Sequence, residues 1–318
     1  MPVRVFQCLL LAGAAFFSLF LGVSSISPLD LFRLDADQAQ VLVISRLPRL
    51  CSILVTGSSL AIAGLIMQNI TRNRFVSPTT AGTMEWCRFG VMAAIVCLPD
   101  APAMVRILGA FAVSLLGTGL FLGIIARIQA RSIILVPLAG MMLGSVVNAA
   151  ATFFAYQYDI IQNMTSWLQG NFSLIIRGNH ELLYVSIPFM ALAYLYADRF
   201  TIAGMGRGMT TALGLNHARI MRVGLVIVAM ICSITIVGVG NIPFLGLVVP
   251  NLVSLYRGDS VKNTLFDTAW LGAVLVLGCD IIGRMVLYPY EIPIGIVLSV
   301  VGSVLFLALL FRRQSHAA

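Results

Sequence analysis

Asp280 and Arg284 stand four residues apart near the end of an apolar run, a spacing that sets two side chains on one face of a helix. Charges inside apolar segments often mark function. The plainer alternative is an ion pair that neutralises both groups near an interface, and residue types alone leave the two readings open. Glu85 and Arg88 open a short apolar segment and read as a solvated helix end. Familiar catalytic spacings are missing. Lys262 lies in Ser260-Val261-Lys262-Asn263, without the glycines of a phosphate loop, and His180, His217 and His316 are far apart in sequence and form no HExxH. The six cysteines (8, 51, 87, 97, 232, 279) mostly fall in apolar runs with no CxxC, as small buried hydrophobes do. No catalytic residue or metal site is therefore expected, and energy for any work must come from outside the chain.

The most informative polar stretch runs from 198 to 222. It contains Asp198-Arg199-Phe200, a glycine-rich link (Gly204, Gly206, Gly208), and Met209-Thr210-Thr211-Ala212-Leu213-Gly214-Leu215-Asn216-His217-Ala218-Arg219. It is long for a connector in so economical a chain. Its apolar residues are spaced for one or two short helices with Gly214 as the break. That suits either a loop resting on a bilayer or an element that enters a partner's groove.

The elements that must position these residues follow from composition. Of 318 residues, 59% are hydrophobic and 10% charged, with a mean hydropathy of +0.99. Soluble domains are about 45–50% apolar and about 25% charged, so a soluble enzyme is excluded. Apolar runs recur at 5–23, 50–70, 89–98, 105–125, 133–156, 182–197, 223–239, 242–256, 269–282 and 292–311. With roughly 20 residues needed per crossing, the chain reads as one all-α integral membrane domain over 1–318, with about ten transmembrane helices and an uncleaved first one. Pro243, Gly246 and Pro250 predict a broken segment at 242–256.

The net charge of +8 comes almost wholly from arginines set singly or in pairs between apolar runs. This is a helix-end pattern and does not suggest a nucleic-acid surface. With the N-terminus inside and alternating crossings, fourteen of the twenty basic residues fall on the cytoplasmic side. Arg33, Arg46, Arg49, Arg106, Arg177 and Arg284 fall outside with most of the acids. Both termini are then cytoplasmic. No chain of mid-membrane carboxylates or histidines supports a proton-coupled carrier, which stays as a weaker alternative.

Three motifs resemble a known family. They are Gly57-Ser58-Ser59-Leu60-Ala61-Ile62-Ala63-Gly64 with Gln68 and the following Thr71-Arg72-Asn73-Arg74-Phe75-Val76-Ser77-Pro78; Gly240-Asn241-Ile242-Pro243-Phe244-Leu245-Gly246-Leu247-Val248-Val249-Pro250-Asn251; and Pro289-Tyr290-Glu291-Ile292-Pro293-Ile294-Gly295. Together they resemble FecCD-type permeases, the membrane subunits of binding-protein-dependent ABC importers for ferric siderophores, haem and cobalamin. The run from Phe75 to Met84 is similar to the branch importing catecholate-type ferric siderophores; haem or cobalamin import is the alternative within the family.

The resemblance implies a type II ABC importer permease fold in the bacterial cytoplasmic (inner) membrane. Its partners would be a second permease subunit (a related heterodimer favoured over a homodimer), two cytoplasmic ATPases that hold the ATP and Mg, and a periplasmic or lipoprotein siderophore-binding protein. By position, Arg46, Arg49 and Arg284 match arginines that meet acidic residues of the binding protein. Thr210, Leu213, Gly214, Leu215 and Arg219 match the element coupling to the ATPase, and Asn73, Phe75, Ser132 and Ile133 match a cytoplasmic gate. No cofactor is implied in this chain.

Overall fold

The computed structural model describes residues 2–22, 35–78, 82–127 and 135–314. Helices account for every regular element among them: α1 (Pro2–Phe20), α2 (Ala36–Val41), a π-helical turn (Leu42–Arg46), α3 (Leu47–Thr71), α4 (Thr83–Cys97), α5 (Ala103–Arg127), α6 (Leu135–Gln157), α7 (Ile161–Leu168), α8 (Glu181–Tyr184), α9 (Ser186–Leu195), α10 (Ala197–Gly204), α11 (Arg207–Ala212), α12 (His217–Val239), α13 (Leu245–Arg257), α14 (Val261–Met285) and α15 (Ile294–Gln314). Among the described residues, Ala36–Thr71, Ala103–Leu120, His217–Val239, Val261–Met285 and Ile294–Phe311 are long and apolar enough to cross a membrane. Arg4–Phe20, Glu181–Leu195 and Leu245–Arg257 are apolar but shorter.

The centre of the body is α3. Its residues are apolar or small on every side, and most are buried against α12, α13 and α14. Small residues set the distance of approach, as packing within lipid requires. A methyl group on Gly57 would stand 2.7 Å from the Gly272 carbonyl of α14, and one on Gly64 would stand 2.0 Å from the Gly246 carbonyl of α13. The outer helices leave large apolar side chains uncovered, among them Phe6, Leu9 and Phe16 on α1, Leu116 and Leu120 on α5, and Val300, Val304 and Leu307 on α15. This is the surface that lipid satisfies.

Three sequence expectations shift. The 242–256 segment is not broken at Pro250, because α13 runs through it. Pro250 has no N–H for the Gly246 carbonyl, and the Gln68 amide on α3 supplies the missing donors, reaching the carbonyls of Gly246 at 3.3 Å and Leu247 at 3.2 Å. The chain bends upstream instead, where Gly240 and Phe244 take positive φ values of 96° and 62°. Second, α12 begins at His217, ahead of the apolar run, because the Asn216 side chain caps it by accepting from the Arg219 amide at 3.0 Å. Third, the cysteines divide: Cys87, Cys232 and Cys279 are buried, but Cys8 and Cys97 are exposed.

Candidate functional site

The three arginines singled out in the sequence come together at one end of the body. Arg46 ends the π-helical turn and Arg49 lies in the first turn of α3, whereas Arg284 lies in the last turn of α14. Asp280 holds two of them, meeting Arg49 Nη2 at 2.8 Å and Arg284 Nη2 at 2.6 Å. Glu291, in the turn before α15, accepts both contacts of Arg49 Nη1, at 2.8 and 3.0 Å, and takes a short bond from the Ser173 hydroxyl. Two of the guanidiniums also reach the C-terminal carbonyls of α1: Arg46 donates to Leu19, and Arg284 donates to Ser18 and Leu21 at 3.0 Å each. Cations are favourable there because helix C-termini carry unsatisfied carbonyls and the negative end of the dipole.

The Asp280–Arg284 pair is therefore local, as its spacing suggests, yet it also belongs to a larger network with Arg49. These are not loose surface charges: the Arg49 and Arg284 side chains are 14% and 6% exposed, and Asp280 is 2% exposed. The arginines wall a cavity of about 230 Å³ together with Ser45, Gly22 and Glu291. In Glu291, which lies outside the long helices, burial pushes the carboxyl pKa up, but the Ser173 hydroxyl and the Arg49 guanidinium outweigh it and leave the value below the ordinary 4.5.

The 198–222 stretch lies at the other end of the long helices. It is mostly helical, comprising α10, α11 and the first turns of α12. Gly206 (φ 108°) and Gly214 (φ 72°) turn the chain on either side of α11, a backbone region that glycine occupies without steric cost. Thr210 is fully buried. Its hydroxyl donates to the Gly206 carbonyl at 2.7 Å and lies 3.2 Å from His217 Nδ1, which pins α11 to the start of α12. Leu213, Gly214 and Arg219 face outward, and Leu215 is half-buried. The stretch is tied to α14 by the Val261 amide, which donates to Thr201 Oγ1 at 3.0 Å, and by a 2.9 Å ion pair of Lys262 with Asp198.

Of the gate residues, Ser132 and Ile133 lie outside the described residues. Asn73 and Phe75 follow α3 immediately. The Asn73 side chain accepts from the Phe75 amide at 2.9 Å, and the half-exposed Phe75 ring stands edge-on to Phe306 of α15, 6.3 Å between centroids. Arg74 crosses to α13 and beyond, donating to Ser254 Oγ at 3.1 Å and pairing closely with Asp259.

Two polar groups were misjudged or missed in the sequence. Glu85 and Arg88 do not form a solvated end: Glu85 packs against Gly144 in the interior of α6, and Glu85 Oε2 and Arg88 Nε are shielded from solvent without a hydrogen-bond partner among the described residues. Asp267 escaped notice because it precedes its apolar run. It is fully buried, 2.9 Å from Arg257 Nε of α13 and 2.9 Å from the Gln7 amide of α1. The only signal was an acid a few residues before a long apolar stretch.

An all-helical body with membrane-length apolar helices, a cationic cavity at one end and an outward-facing short helix at the other has the architecture of a membrane permease. The comparisons make the class specific. Residues 9–312 match the model of the FecCD transport family, and the chain belongs to that family. It is 51% identical to the petrobactin import system permease protein YclN of Bacillus subtilis (strain 168), over 97% of this chain and 98% of that protein. It is 41% identical to the ferric-anguibactin transport system permease protein FatD of Vibrio anguillarum, over 93% of this chain and 94% of that protein. A solved inward-facing conformation of a metal-chelate type ABC transporter superposes with a TM-score of 0.86 at 25% identity, covering 98% of this chain and all of that one.

Proposed function

We propose that this chain is the permease subunit of an ABC importer that carries ferric siderophores, of catecholate type, across the bacterial cytoplasmic membrane, with both termini inside. The observation that carries the reading is end-to-end similarity to two permeases named for petrobactin and ferric-anguibactin transport. In this reading the chain pairs with a related second permease and hydrolyses no ATP itself. Two ATPases bind the nucleotide and push on α11 through Leu213, Gly214 and the outward face of Arg219. The push shifts the body between two arrangements, a change driven by differential binding of ATP to them. At the other end a binding protein docks, and an acidic side chain from it enters the cavity beside Arg46, Arg49 and Arg284. Asn73 and Phe75, with Ser132 and Ile133, narrow the cytoplasmic exit.

The test is reconstitution. Vesicles holding both permeases and the ATPase, supplied with loaded binding protein, should take up radioiron-labelled siderophore only with ATP inside. Uptake by this chain alone, without ATPase, would refute the reading in favour of a secondary carrier. Arg46→Glu should weaken binding-protein docking while leaving ATPase association intact; unchanged docking removes that assignment.

A further inference from the structure

Next to the arginine network, at the same end of the molecule, lies a second and larger cleft of about 330 Å³ that no part of the mechanism above uses. It is bounded by the start of α5, by α7 and the segment after it, and by the last turn of α12. Its charged residue is Arg106. The guanidinium Nε of Arg106 is shielded from solvent, and among the described residues the Arg106 side chain makes neither a hydrogen bond nor an ion pair. Arg46, Arg49 and Arg284, at the same end, each donate to a carboxylate or a carbonyl.

The remaining polar lining is uncharged: Asn163, Ser166, Gln169, Asn171 and Asn179 bring amide and hydroxyl groups, and among the described residues there is no carboxylate in the wall. The first turn of α5, Ala103 and Arg106, also opens onto the cleft, adding the positive end of a helix dipole. The other wall is apolar. Ile107, Val237 and the Trp167 ring form it, and the ring is fixed because its Nε1 donates to the Val237 carbonyl at 2.9 Å.

A cation without a counter-charge, a set of donors and an apolar wall are complementary to one kind of ligand, an oxygen-rich anion with a flat or apolar body. At roughly 30 Å³ per water, the cleft has room for about ten waters, which is one arm of a large chelate and not the whole. A ferric ion wrapped by anionic oxygen donors in excess of its charge is a polyanion. We propose that this cleft is an entry subsite for the ferric chelate, in which Arg106 pairs with an anionic oxygen of one chelating arm as the complex leaves the binding protein. The inference rests on the siderophore reading and extends it to the permease's own contact with the substrate. The segment 169–179 has the cleft on one side and, through Ser173 and Glu291, the docking network on the other, so docking and chelate entry share a wall.

The experiment uses the intact importer in vesicles of zwitterionic phospholipid, with a ferric tris-catecholate as the probe at saturating binding protein. Arg106→Gln should lower the uptake rate about tenfold or more, the scale of one charge-assisted hydrogen bond. Arg106→Lys should retain most of the uptake, and basal ATP hydrolysis and affinity for the unloaded binding protein should not change. Asn163→Ala should give a smaller loss of the same kind. Unaltered uptake by Arg106→Gln overturns the inference alone. A weakened affinity for the unloaded binding protein overturns it by making Arg106 a docking residue. An effect seen only when anionic lipid is added overturns it by making the ligand a lipid headgroup. No uptake by the wild-type importer overturns the siderophore reading, and this inference with it.

Discussion

Asp280→Asn is the sharpest probe of the arginine network, because it keeps the side chain's size and removes only its charge. In the wild type, Asp280 is bonded to Arg49 at 2.8 Å and to Arg284 at 2.6 Å while almost wholly buried. The substitution leaves Arg49 and Arg284, among the described residues, without the carboxylate they share. Breaking a buried pair by removing one partner costs about 3–5 kcal/mol. The loss should fall at the low end, near 3 kcal/mol, since Arg49 keeps Glu291 and Arg284 keeps the α1 carbonyls. With unfolding entropy of about 2.1 cal/mol/K per residue, a chain of 318 residues shifts by roughly 1.5 °C per kcal/mol, so Tm should drop by about 4–5 °C. Thermal unfolding in detergent, followed by tryptophan emission and by the surviving monodisperse fraction on size exclusion, measures it. Combining Asp280→Asn with Arg284→Gln should destabilise by clearly less than the two singles added, the signature of a shared interaction. A Tm within about 2 °C of wild type, or strict additivity, would show that the network holds nothing together.

Gln68→Leu should cost about 1–3 kcal/mol, because the Gly246 carbonyl freed by Pro250 loses its donor; a Tm equal to wild type in the same assay would mean that another group satisfies it. Leu213→Asp places a charge on a side chain that is 53% exposed, so folding should be intact while ATP hydrolysis and uptake separate; normal uptake would make α11 a mere connector. Glu291 has a lowered carboxyl pKa in the folded state, so its contribution is complete above the ordinary glutamate value and is lost as pH falls through the lowered one. Tm should therefore be level from pH 7 to about 5 and decline below that, with a shallower decline in Glu291→Gln; equal acid limbs in the two proteins would contradict the assignment.

What the sequence made legible was whatever depends on local order. The apolar runs sit on helices because their length and composition leave no other way to satisfy the backbone in lipid. Asp280 and Arg284 pair because four residues make a turn, and the chain turns at Gly214 because its positive φ suits glycine. What stayed hidden depends on who comes to whom. Arg49 reaches Asp280 across 231 residues of chain, and no periodicity reports that. Asp267 drew no reading at all because its partners, Gln7 and Arg257, arrive from two other helices. Pro250 looked like a break because the donor that lets the helix pass through it belongs to α3. Glu85 and Arg88 looked solvated because the start of α4 gives no hint that it is laid against the middle of α6.

The two ends of the molecule are joined by one pair of helices. α14 is tied at its start to α10 through Thr201 and Asp198, and it carries Asp280 and Arg284 near its other end. Its 25 residues span about 37 Å at 1.5 Å per residue, which is longer than the hydrocarbon layer. α3 runs alongside with Arg49 at the arginine end and Asn73 just past the other. Where they cross, a methyl on Gly272 would come within 2.3 Å of the Gly57 carbonyl and one on Gly57 within 2.7 Å of the Gly272 carbonyl. Backbones seated that closely have no slack for sliding. Ion pairs to Asp280 fix the register at one end of the pair. In the proposed cycle, movement of the 198–222 element is therefore passed on by tilting α3 and α14 together as one body, a rigid-body change in preference to a shear, and the arginine cavity tilts with it. Binding at that cavity and nucleotide binding below act, in that cycle, on the same two-helix unit, so each alters the other's affinity by the same factor.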